Sequence, residues 1–67
     1  MWVVQLMYDQ IFIESKHKTR KKAYSKAGNH AKLAMLFIEK HPNHKVDIII
    51  DIYDPEGKIV SRGKIQH

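Results

Sequence analysis

Residues 45–65 read K-V-D-I-I-I-D-I-Y-D-P-E-G-K-I-V-S-R-G-K-I. Two runs rich in β-branched residues flank Asp54-Pro55-Glu56-Gly57, where proline second and glycine fourth mark a tight turn. The stretch therefore predicts an antiparallel hairpin. Pairing Tyr53 with Lys58 sets Ile52 opposite Ile59, Ile50 opposite Ser61, Ile48 opposite Gly63 and Val46 opposite Ile65. On the other face the same register sets Asp47 against Lys64, a favourable cross-strand pair. A three-residue loop with a glycine bulge is the alternative, and it shifts the pairing by one.

Ahead of the hairpin, Arg20 to about Lys40 lacks proline and is rich in helix formers, with Thr19 as N-cap and His41-Pro42-Asn43 as terminator. At about 100° per residue, Ala23, Tyr24, Ala27, Ala31, Ala34, Met35 and Ile38 fall on one stripe, the expected core face. The small residues of that stripe, with Ser61 and Gly63 on the sheet, suggest a close approach of helix to sheet. Gly28 at its edge either permits that approach or weakens the helix by about 1 kcal/mol relative to alanine. Trp2 to Ile13 reads W-V-V-Q-L-M-Y-D-Q-I-F-I, strand material. A turn at Asp9-Gln10 would return Ile11 and Ile13 to the face of Trp2, Val4, Leu6 and Tyr8; one long or bulged strand is the other reading. The expectation is an α+β domain over residues 1–67, with one long helix packed on an antiparallel sheet of three or four strands in the order β(β)αββ.

The chain has 67 residues and no cysteine. Disulfides and thiolate zinc sites are thereby excluded, which fits a reducing, cytoplasmic setting. The longest apolar run is Leu33 to Ile38, far short of the roughly 18 residues that a membrane-spanning helix needs. The basic stretch lies within the chain and not ahead of a signal-peptide core. A chain of this size buries only about 60% of its unfolded surface, so a partner would add stability that its own core lacks.

The net charge of +5 conceals an uneven distribution. Between Glu14 and Glu39 there is no carboxylate, and that stretch holds Lys16, Lys18, Arg20, Lys21, Lys22, Lys26 and Lys32. It carries +7, while the rest of the chain, with five basic and seven acidic residues, carries −2. Arg20, Lys21 and Lys22 occupy the first helical turn. There the macrodipole favours acids, and Lys22 stands where a capping box would put Glu or Gln. Each such cation costs on the order of 0.3–1 kcal/mol unless an anion is bound. These seven residues are the candidate site for an anionic partner, either an acidic protein surface or nucleoprotein, or DNA or RNA phosphates. On the helix face opposite the core stripe, Lys22, Lys26, Asn29, Leu33, Leu36 and Lys40 align. Leu33 and Leu36 among lysines form a candidate apolar docking or self-association surface.

Catalytic signatures are sparse. His41 and His44 are too few to complete a zinc site, and the Asp51 … Glu56-Gly57-Lys58 pattern coincides with a turn that explains itself. Acid–base cleavage of RNA by His41 or His44 with a nearby lysine, as in small toxins, is a third reading. Tyr53 and Phe12 are expected on the open sheet face beside Lys58, Arg62 and Lys64, where bases could stack, but the glycine-aromatic signature of an RNA-recognition sheet is absent. No catalytic residue, metal or cofactor is assigned.

The whole plan, a strand or hairpin, one basic helix and a C-terminal D-P-E-G-K-I-V hairpin, resembles small phage-encoded inhibitors of host systems, including some anti-CRISPR proteins. The resemblance covers length and element order, and no functional residue is carried over from it. It implies a non-catalytic viral protein that inhibits by docking on a host protein or nucleoprotein in the cytoplasm. Many such inhibitors are acidic mimics of DNA, whereas a basic chain must bind an acidic surface or the nucleic acid itself.

Overall fold

The computed structural model describes residues 1–67. Strand β1 (Trp2–Tyr8) turns back into β2 (Ile11–His17), helix α1 (Arg20–Lys40) follows, and β3 (Asp47–Tyr53) and β4 (Ile59–Gln66) close the chain. All pairings are antiparallel and the sheet order is β2-β1-β3-β4. The α+β expectation is met with four strands. Asp9-Gln10 is the two-residue turn of the first hairpin, with Tyr8 paired to Ile11. Asp9 adopts φ 53°, a conformation in which a glycine would be unstrained.

The helix covers one face of the sheet. Alternation along β1 and β3 directs Val4, Ile48, Ile50 and Ile52 toward it, where they meet Ala23 and Ala34 in a core completed by Val46. Burying each isoleucine side chain contributes about 1.5–3 kcal/mol. Trp2, Leu6, Tyr8, Ala27, Ala31, Phe37, Ile38 and Ile65 pack around this centre. Two members of the expected helix stripe are corrected. Tyr24 is 38% and Met35 58% exposed, while Phe37 turns inward against Tyr8, with ring centroids 6.2 Å apart. The helix axis lies over β1 and β3 and leaves β4 largely uncovered, so the flank bearing Tyr24 and Met35 overhangs a groove.

That groove, about 300 Å³, is bounded by Tyr24, Ala27, Gly28 and Ala31 on the helix and by Ile50, Ile52, Ser61 and Gly63 on the sheet. The expected close approach is absent there. A Cβ added at Gly28 or Gly63 would meet no atom within 4 Å. Gly28 is thus a weak point in the helix.

The expected register of the second hairpin is also corrected. The Asp54 amide donates to the Lys58 carbonyl (2.9 Å), and the Asp54 carboxylate accepts from the Glu56 and Lys58 amides at 3.0 and 2.9 Å. With Gly57 at φ +83°, this is the three-residue loop with a glycine in the left-handed region. It shifts Tyr53 onto Ile59, and a bulge before Ile52 shifts the rest once more, so Ile52 pairs with Ser61, Ile50 with Gly63 and Ile48 with Ile65. Two single shifts restore parity, so Ile48, Ile50, Ile52 and Ile65 keep their expected face. Ile59, expected opposite Ile52, is corrected: it pairs with Tyr53 on the face away from the helix and is 42% exposed. The charge pairing changes. Asp47 lies opposite Gln66 and not Lys64, and Asp51 lies opposite Arg62.

Candidate functional site: the basic helix entrance

Thr19 leaves β2 in an extended conformation (φ −129°, ψ 154°), and its hydroxyl accepts the Lys22 amide at 3.1 Å. The N-cap therefore forms as its sequence dictates. No acidic residue stands in the first turn, so the other half of a capping box is missing. The one ion pair in the molecule is Arg62 with Asp51. None of the seven cations from Lys16 to Lys32 is within salt-bridge distance of a carboxylate.

The seven are not one cluster. Lys22 and Lys26 share a helix flank with Asn29, Leu33, Leu36 and Lys40, at alternating spacings of four and three, and this flank lies toward β2. Lys18 adjoins it in the β2–α1 connection. Arg20 lies on the opposite flank, its guanidinium 5.2 Å from the centre of the Tyr24 ring. Lys21 and Lys32 lie on the crest between the flanks. Lys32, ten residues beyond Lys22, is about 15 Å farther along the axis, outside the entrance. Lys16 pairs with Val3, and its side chain lies on the sheet face away from the helix. Leu33 and Leu36 are 65% and 44% exposed.

Two residues that the sequence reading passed over complete the β2-side flank. His30 lies between helix and sheet, half-buried, and its Nε2 has no hydrogen-bond partner. Burial, then the charge of Lys26 and that of His17, lower its pKa below the ordinary 6.5. His17, on the helix-facing side of β2, shares a hydrogen bond of 2.8 Å between its Nε2 and the Ser15 hydroxyl. The signal for His30 was available. It falls in the sequence of core-facing positions 23, 27, 30, 34 and 37, where a polar residue stands out. Lys22 and Lys26 make this flank positive, and an anion bound there would relieve the repulsion between them and lie near the unpartnered His30 ring.

His41 and His44 have a packing role at the far end of the helix. The His41 amide closes the last turn on the Phe37 and Ile38 carbonyls at 2.9 and 3.2 Å. Both rings pack on Phe37, with centroids 4.6 and 5.6 Å away, and stand 6.2 Å from each other. The largest concavity, about 470 Å³, lies at this end, walled by Tyr8, Asp9, His44, Lys45 and Asp47, away from the basic entrance. Asp51 is sealed by Arg62, which donates from Nε and Nη2 to its two carboxylate oxygens at 2.8 and 2.9 Å. No three His, Cys, Asp or Glu side chains converge to hold a metal ion. The helix is not apolar enough to cross a membrane.

Set beside protein-family models, curated proteins and solved structures, the chain matches none of them. Fold and site define a small α+β scaffold that presents a basic helix entrance.

Proposed function

We propose that this is a non-enzymatic binding protein whose helix entrance docks on an acidic protein surface or nucleoprotein complex. Lys18, Lys22 and Lys26 supply the charge, Arg20, Lys21 and Lys32 extend the field, and Leu33 and Leu36 add an apolar contact. The observation that carries the reading is the run of cations at a helix N-terminus with no carboxylate partner in the chain. That arrangement opposes helix stability, and an anionic partner reverses its sign. Inhibition of a host system, implied by the resemblance in plan, is one use for such a surface.

A second reading is direct, largely sequence-independent binding of nucleic acid. The exposed Tyr24 ring beneath Arg20 favours it, because an aromatic beside cations offers a stacking platform next to phosphate contacts.

Fluorescence anisotropy with labelled polyglutamate, single-stranded DNA, RNA and duplex DNA tests both. The proposal expects binding to polyglutamate that is lost when Lys18, Lys22 and Lys26 are changed together to Glu. Nucleic-acid binding should weaken by orders of magnitude between low and physiological salt. Failure of every polyanion to bind at low salt would refute the role given to the helix entrance. Capture from lysate with and without nuclease then separates a protein partner from a nucleic acid.

A further inference from the structure

The sheet face away from the helix is covered by no element of the chain. Alternation and register place Val3, Met7, Phe12, Ile49 and Tyr53 on it, and Phe12 is 57% exposed. Through its centre runs one cross-strand row, Glu14, Gln5, Asp51 and Arg62, from edge to edge. Gln5 donates to Glu14 at 3.0 Å, and Arg62 lies across the sheet onto Asp51. This face has three acidic residues (Glu14, Asp47, Asp51) and three basic ones (Lys16, Arg62, Lys64), so it is neutral in a molecule of charge +5.

The geometry points to a second copy of this chain as the occupant of that face, in a two-fold, sheet-on-sheet dimer. An axis parallel to the strands, between β1 and β3, sets each β2 over β4 of the second copy and each β1 over β3. The central row then lies over itself reversed. Glu14 stands over Arg62 of the second copy with Lys64 in the next row, while Met7 meets Ile49 and Val3 meets Tyr53. Opposite charges thus meet at both ends of the central row, Gln5 stands over Asp51 of the second copy between them, and the apolar pairs flank that row on either side, so the face is complementary to itself. Aligned sheets pack this way with strands about 30° apart.

The size of the face sets the strength of such a dimer. Four strands about 4.8 Å apart and about seven residues long give a face of roughly 19 by 23 Å, or about 440 Å² in flat projection. This is below the roughly 600 Å² per partner at the low end of specific interfaces, so the dimer is a weak one that forms at high concentration. Only eight of 67 residues are buried in the single chain, and small domains commonly complete their cores by association. A nucleic acid suits this face less well, because Glu14 and Asp47 lie where phosphates would pass.

Sedimentation equilibrium of the full chain up to millimolar concentration should give twice 7.9 kDa. Phe12→Lys, at an exposed position over Lys64 of the second copy, should reduce the mass to one chain with the helical circular dichroism unchanged. Glu14→Lys should weaken the dimer, and Lys64→Glu added to it should restore association. In a mixture of labelled and unlabelled wild-type chains, intermolecular NOEs should join Met7 to Ile49. A wild-type chain that stays monomeric at millimolar concentration overturns the inference. So does a dimer with intermolecular NOEs at Leu33 and Leu36, or one indifferent to Glu14→Lys. Polyanion binding by the helix entrance is read separately and does not depend on the result.

Discussion

His30 stands where the helix would do best with an apolar side chain, half-buried and with its Nε2 unpartnered. Its lowered pKa ties this defect to pH. In the folded chain protonation is disfavoured by burial and by Lys26 and His17, so the unfolded chain takes up the proton first. Stability therefore falls as pH drops through 6.5, and the loss levels off below the folded-state pKa. Replacing His30 with Leu removes both the unpartnered nitrogen and the titration. Urea denaturation should show this variant more stable than wild type, with a larger gain at about pH 5 than at about pH 8. An equal gain at both pH values would show that His30 is not the titrating source.

At the scale of elements, the hairpin shows what pattern can and cannot reveal. The period of two in β3 identifies which isoleucines face the helix, and this survives any even shift of register. The register itself depends on how the Asp54 carboxylate caps the turn and where the bulge falls, neither of which alternation encodes. The consequence was the hidden Asp51–Arg62 pair, displaced by two positions from the expected pairing. In the helix, period alone grouped Tyr24 and Met35 with the alanines. The helix sits over β1 and β3 and not centrally over β3 and β4, so that edge of the stripe faces a groove and Phe37 takes up the opposite edge. Thr19, by contrast, caps the helix as its residue type and position indicate. Gly28 follows from the same geometry. With open space where its Cβ would stand, Gly28→Ala should stabilise the chain by about 1 kcal/mol in chemical denaturation. A loss of stability instead would mean that something approaches the helix closely at that point.

For the whole molecule, charge and fold pull in different directions. The seven cations were legible in the sequence, and so was their conflict with the helix dipole. Their division between two flanks, a crest and the far side of the sheet was not, because it depends on where the helix rests on the sheet. A chain with so small a core has little stability to spare. Repulsion at the helix entrance is therefore an expensive feature for the free protein, and the account explains it by an anionic partner. Lys22 is where the two demands meet, since Thr19 already accepts its amide and only the reciprocal acid is missing. The decisive measurement is a paired one on Lys22→Glu, with stability by urea denaturation and polyglutamate binding by anisotropy at low salt. The account predicts that the free protein gains roughly 0.5–1 kcal/mol, from a completed capping box and a favourable dipole, while binding weakens severalfold. A variant that gains no stability, or that binds as wild type does, would contradict it.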